Sequence, residues 1–259
     1  MIIHTVGNPN NPAVLFFHAM GVTGDSSRPV AEFLKADYYC ILPTSSVYCA
    51  GDRYVSKSDE LRQLTEFLRE QGVDRLALVT ASSLGADLAM AFLTRSGLPV
   101  EHVFFDGGQF AQISRPLRSV LTPILFLAIK SLYWSKGRTL KQILWCDDEA
   151  IKPYFIEAGK NLTYGNLRRQ LSDSVEDKPF PALPEALQQR TVWEFGSEED
   201  HFKYRENVRK SYPQGHFPVF EGFNHMQLQI RDPGGFARML DTVIRENRLP
   251  ELPFLRLEE

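Results

Sequence analysis

The chain is poor in the features that would commit it to several classes of function. It has three cysteines in 259 residues, Cys40, Cys49 and Cys146. The number is odd and no CxxC occurs, so neither a disulfide framework nor a cysteine zinc site is expected. The pattern suits buried thiols in a reducing compartment. Positive charge is not in excess: 29 Lys and Arg against 32 Asp and Glu leave a net charge of −3. That balance argues against a nucleic-acid partner, which usually meets a basic face. The most apolar stretch, Val120 to Ile129, is too short to span a bilayer and contains Pro123. The start, Met1-Ile2-Ile3-His4-Thr5, lacks the basic region and apolar run of a secretory signal. These readings predict a cytoplasmic protein with no membrane span. No HExxH or Cys/His cluster is present, and Asp147-Asp148-Glu149 reads as a solvated helix end. Gly107-Gly108 and Gly234-Gly235 lack the spacing of a phosphate loop. No metal and no cofactor are therefore expected.

What is present is an ordinary globular composition, 43% hydrophobic and 24% charged, with enough length for one large domain. The informative stretch is Leu76 to Leu88. It reads as an uncharged buried strand, a sharp turn and a helix with Leu84, Leu88, Ala91 and Phe92 on one face. At the turn lies Ala81-Ser82-Ser83-Leu84-Gly85, a small-x-Ser-x-small pattern. A strand and a helix meeting at so tight a turn leave room only for small flanking residues, and the serine projects its hydroxyl from the strained position. With Ser83 at the centre the flanks are Ala81 and Gly85; with Ser82 they would be Thr80 and Leu84, which would clash. Ser83 is the candidate nucleophile. Cys49 lies in a loop with no such elbow and is not.

The rest of the chain alternates strands and helices. Strands are expected at Met1–Val6, Ala13–Phe17, Tyr38–Leu42, Val103–Phe105, Thr191–Phe195 and Phe217–Phe220. Such alternation predicts an α/β fold with a mostly parallel, doubly wound sheet. Ligands bind these sheets at the carboxyl ends of the strands. His18, Ser83, Asp106, Glu199 and His225 all fall at such ends. From Phe110 to Gln189 the rhythm breaks. The segment reads as helical and rich in apolar and aromatic residues, including Phe126, Tyr133, Trp134, Trp145, Tyr154 and Phe155, and Pro179, Pro181 and Pro184 close it.

At this point the chain resembles the α/β-hydrolase family over nearly its whole length. The likeness rests on the strand into His18-Ala19-Met20-Gly21, the elbow at Ser83, Gly196-Ser197-Glu198-Glu199 and His225. Serine, acid and histidine follow the family's chain order. The resemblance implies a core of residues 1–109 and 190–259 with a helical cap, 110–189, inserted after the strand ending near Asp106. It implies Ser83 as nucleophile, His225 as base and Glu199 as the acid that orients it, with Asp106 and Asp200 as alternative acids. The oxyanion hole would come from the N–H groups of Leu84 and Met20, or Ala19 in place of Met20. The family usually has His-Gly where this chain has His18-Ala19.

The activity implied is hydrolysis of a carboxylic ester or related acyl bond through an acyl-enzyme. Cap aromatics suggest a small-molecule substrate with an apolar or aryl acyl or alcohol part. Thioesterase, C–C bond hydrolase and acyltransferase chemistry use the same groups. The altered small positions, Ala81 and Ala19, also leave open a member of the fold that binds a small ligand or protein without catalysis. Oligomeric state is not legible.

Overall fold

The computed structural model describes residues 1–108, 114–144, 148–176 and 180–256. Phe110, Trp145, Cys146, Asp147 and Pro179, named above, lie outside the described residues. The strands are β1 (Ile2–Val6), β2 (Ala13–Phe17), β3 (Tyr39–Thr44), β4 (Leu76–Ser82), β5 (Val100–Asp106), β6 (Thr191–Gly196), β7 (Val219–Phe220) and β8 (Leu255–Arg256). They form one eight-stranded sheet in the order β1-β3-β2-β4-β5-β6-β7-β8. The strands from β3 to β7 run parallel, and β1 and β8 are antiparallel edges. The fold is therefore α/β with a mostly parallel sheet, as its alternating pattern implies.

Strand bounds shift by one or two residues at β1, β3 and β6, and differ more at β5, β7 and β8. β5 begins at Val100, because Val100 and His102 extend the pairing with β4 beyond the apolar run. β7 shrinks to two residues, and His216 contributes only an isolated bridge to Val192. β8 was not expected: Leu255-Arg256 is too short to show alternation and is a strand only through its pairing with β7.

The helices are α1 (Arg28–Leu34), α2 (Lys57–Glu70), α3 (Gly85–Arg95), α4 (Arg115–Trp134), α5 (Leu140–Ile143), α6 (Lys152–Asn161), α7 (Tyr164–Glu176), α8 (Glu185–Gln188), α9 (Arg205–Ser211), α10 (Gln227–Arg231) and α11 (Pro233–Glu246). Alternate residues of each buried strand enter opposite layers. Leu15 and Phe17 of β2 pack with Leu61, Leu64 and Leu68 of α2 and with Phe92 of α3. Val14 and Phe16 face Val30 and Leu34 of α1 and Phe236, Leu240 and Val243 of α11. The described thiols Cys40 and Cys49 are free and buried in this interior.

Helices α4 to α8 fall between β5 and β6. α4 is the one described helix long and apolar enough, by length and composition, to cross a membrane, with a mean hydropathy of 1.2 over 18 residues. Pro123 sits inside it and does not end it. The insert packs Ile129, Ala158, Leu162, Leu167 and Leu171 on Val47, Tyr48 and Tyr54 of the body. It also packs Leu132, Leu140 and Phe155 on Ala19, Val22 and Met226. Polar groups fix its register. Asn166 Nδ2 donates to Asp52 O (3.0 Å), and Asn166 Oδ1 accepts from Tyr54 N (3.2 Å). Asp173 Oδ2 accepts from Tyr54 Oη (3.0 Å) and Lys57 N (2.7 Å).

Asn166 is buried, so Asn166→Ala would strand the Tyr54 N–H away from water. The expected cost is about 1–3 kcal/mol in urea unfolding, with faster proteolysis of the insert under native conditions.

Candidate active site

Ser83 follows the last residue of β4 and immediately precedes the first turn of α3. Its φ is +52°, in the left-handed region that non-glycine residues seldom occupy, a placement that costs of order 1–3 kcal/mol. Its N–H donates to Asp106 O (3.0 Å) and its carbonyl accepts from Ala86 N (3.1 Å), so strand and helix both hold the turn. A Cβ on Gly85 would stand 2.5 Å from Phe17 O and 2.6 Å from His18 O. Only glycine lets the helix start against the end of β2. Ser82, the alternative serine, ends the strand, and its Oγ accepts from Gln229 Nε2 (2.8 Å).

Glu199 follows β6 and His225 follows β7. Glu199 Oε2 lies 2.6 Å from His225 Nδ1. The Glu199 side chain is 1% exposed and that of His225 16%. Burial pushes the Glu199 carboxyl up to about 7 and pulls the His225 imidazole below its usual value. The pair fits only because residue 107 has no side chain. A Cβ on Gly107, at φ +58°, would sit 2.4 Å from His225 Nδ1 and 2.7 Å from Glu199 Oε2.

The alternative acids lie elsewhere. Asp106 is buried at the end of β5, where Gln229 Nε2 donates to its Oδ2 (2.5 Å). It also shares a hydrogen bond with Glu194, its neighbour in the β5–β6 register. Burial, together with the charge of each on the other, raises both carboxyls above the usual carboxylate range. Asp200 is exposed at the start of a short 3-10 turn.

His18 is engaged at both ring nitrogens. Nδ1 lies 2.7 Å from Ala19 O, and Nε2 accepts from Ser45 N (3.1 Å). Its ring meets Tyr48 edge-on, and Tyr48 Oη accepts from Gly21 N (2.9 Å). Burial pulls His18 down to about 4, so the ring is neutral and shapes the loop. A narrow cleft open to solvent runs beside this loop, lined by His18, Ala19, Met20, Leu84, Leu88 and Gln170 among others, with neither Ser83 nor His225 in its wall.

Three of these groups deserve mention because sequence reasoning missed them. His201 stands edge-on to His225 with ring centroids 4.8 Å apart, and its Nδ1 lies 3.2 Å from Gly107 O. It is two residues after Glu199, which is the only local signal. Gln229 and Glu194 carry no motif and are found only through packing. Among the described residues, Glu199, His201 and His225 could converge on a cation, their ligand atoms lying within 4.8 Å of one another. The 2.6 Å between Glu199 and His225 is a hydrogen-bond length. Two ligands each about 2.0–2.1 Å from a tetrahedral ion stand further apart.

No family model matches the chain, and no curated protein matches its sequence. Solved structures do. An alpha/beta hydrolase family protein from Desulfitobacterium hafniense superposes with a TM-score of 0.72 at 18% identity, covering 94% of this chain and 100% of that one. A thermophilic esterase from Thermogutta terrifontis gives 0.71 at 15% identity, covering 95% and 93%. An esterase from Exiguobacterium antarcticum gives 0.71 at 12% identity, covering 94% and 95%. The chain has the α/β-hydrolase fold.

In this α/β-hydrolase fold the left-handed serine, the buried imidazole and the buried carboxyl come from the ends of β4, β7 and β6. The close fit around Gly107 makes a direct prediction. Gly107→Ala should separate Glu199 from His225, so the downfield proton NMR signal of the His225 Nδ1–H is lost while the circular dichroism spectrum is kept.

Proposed function

We propose that the protein is a serine hydrolase that cleaves a carboxylic ester or related acyl bond. The observation that carries this reading is the Ser83 turn at φ +52° at the same sheet edge as a buried His225–Glu199 pair 2.6 Å apart. Ser83 Oγ attacks the carbonyl carbon. His225 takes the hydroxyl proton at Nε2, since its Nδ1–H is held by Glu199. The carboxylate stabilises the imidazolium that forms. His225 then returns the proton to the leaving alcohol, and a water deprotonated by the same nitrogen releases the acid. Glu199 is the reading's choice of acid because Asp106 is taken up by Gln229 and Glu194.

The oxyanion is received by the Leu84 N–H, at the start of α3, and by the Met20 N–H. His18 supports Met20 over Ala19. It holds the Ala19 carbonyl, and across a planar trans peptide the following N–H points the opposite way. That directs the Met20 N–H away from His18. His201 packs on the face of the working imidazole and limits its rotation. The insert acts as the cap, and the apolar Leu88 and Met20 walls of the cleft beside the Leu84 N–H suit a small apolar acyl or alcohol group.

A fluorophosphonate probe tests this. Peptide mapping should find the adduct on Ser83, and the adduct should be absent in His225→Ala. Ser83→Ala should lower kcat/KM on a short-chain aryl ester by about 10³-fold or more. Labelling elsewhere, or unchanged hydrolysis in Ser83→Ala, would end the reading. The pH profile follows from the pair. The active state holds one proton, on His225 Nδ1. Burial raises Glu199 to about 7 and lowers His225, so a second proton enters the pair only on the acid side. Activity should rise along a single acid limb whose midpoint lies near 7, as measured by kcat/KM across pH.

A further inference from the structure

Helix α4 presents an uncovered apolar stripe. Leu117, Val120, Ile124, Leu127 and Trp134 recur at three-, four- and seven-residue spacing, so they share one face. Each is at least half exposed, from 50% to 63%. The opposite face is the packed one, through Thr122, Ile129 and Leu132. At 1.5 Å per residue the stripe from Leu117 to Trp134 is about 25 Å long, beyond the scattered single apolar residues normal on a surface.

Charge on the α4 segment itself is one-sided; the exposed Glu149 that follows it is paired with Lys152 at 2.6 Å. Between Ser114 and Leu144 the chain has Arg115, Arg118, Lys130, Lys136, Arg138 and Lys141 and no Asp or Glu, although the whole chain carries a net −3. Arg115 lies at one end of the stripe; Lys136, Arg138 and Lys141 lie beyond the other, all exposed. Tyr133 and Trp134 are exposed at that second end, and such rings favour the boundary between lipid and water.

We propose that α4 seats the protein on an anionic membrane surface, lying in the plane of the headgroups with this stripe immersed. An apolar helical face bounded by cations and interfacial aromatics has the makeup of a helix that lies on a membrane. A second copy of the chain fits less well. Face-to-face pairing of two α4 helices, in either direction, sets cation-rich ends against cation-rich ends with no acidic residue on the segment to pair them. The inner face of the same helix touches the candidate site, since Ile129 Cγ1 would lie 3.3 Å from a Cβ on Gly21. Docking through α4 therefore holds the cleft next to the lipid, from which an apolar substrate can enter. The membrane contact is independent of the catalytic assignment, and Ser83→Ala protein serves for its test.

The experiment is co-sedimentation with phosphatidylcholine vesicles, with and without phosphatidylglycerol. The protein should bind the anionic vesicles about tenfold or more tightly than the neutral ones, and raised salt should weaken that binding. Ile124→Asp and Leu127→Asp, both at exposed positions, should weaken it about tenfold while leaving the circular dichroism spectrum and short-ester hydrolysis unchanged. Lys136→Gln with Arg138→Gln should remove the preference for anionic lipid. Phe33→Asp, an exposed apolar position on α1, should have no effect. Equal binding to both vesicles, or full binding by Ile124→Asp, overturns the proposal. So does a dimer seen by light scattering that Ile124→Asp dissociates, which would make a second copy the occupant.

Discussion

The structure turns on one contact, the 2.6 Å approach of a buried carboxyl to a buried imidazole beneath Gly107. A lone carboxylate taken out of water costs several kcal/mol, so Glu199 is tolerated inside only with a donor aimed at it. That donor comes from a loop 26 residues away in sequence. The approach requires β5, β6 and β7 to stand in the right register, and the chain after β5 to turn without a side chain. Gly107 N donates to Glu194 O (3.1 Å), which anchors the turn to the neighbouring strand. Altering any of these strand ends moves the pair.

The same sheet edge holds a second carboxyl pair with a different solution to burial. Asp106 and Glu194 lie side by side, burial raises both carboxyls, and the Gln229 amide donates to Asp106 Oδ2. Gln229 Nε2 also reaches Ser82 Oγ. One amide thus ties α10 to the ends of β4 and β5 directly beneath the Ser83 turn. The two sites differ in environment: Asp106 and Glu194 face each other and a neutral amide, whereas Glu199 stands beside an imidazole. Like charges this close cannot all ionise in a dry interior.

The insert shows a related contrast between its two sides. Toward the body it is held by apolar packing and by polar groups such as the buried Asn166 and the half-buried Asp173, whose hydrogen bonds require one docking position. Away from the body, α4 leaves a row of aliphatic side chains uncovered. The polar groups make the inner contact specific, and among the described residues the outer stripe of Leu117, Val120, Ile124 and Leu127 is aliphatic. Its composition instead suits a fluid apolar phase that makes no geometric demand.

The α/β pattern, the mostly parallel sheet and the serine turn were legible in the sequence, because each follows from local rules. Aliphatic runs make buried strands. Small residues must flank a tight strand-to-helix turn, and the choice of Ser83 over Ser82 rests on that requirement. Residues at strand ends are likewise readable once strands are placed. Tertiary structure decided the rest. Glu199, Asp106 and Asp200 are chemically alike and all lie at or beside strand ends; which one meets His225 depends on strand register, helix placement and the space at Gly107. His201, Gln229 and Glu194 gained their partners only through contacts distant in sequence. β8 is a strand only because β7 offers it an edge. Local sequence determines backbone preference and burial over a few residues, but side-chain partners are set by distances between segments, which exist only after the chain has folded.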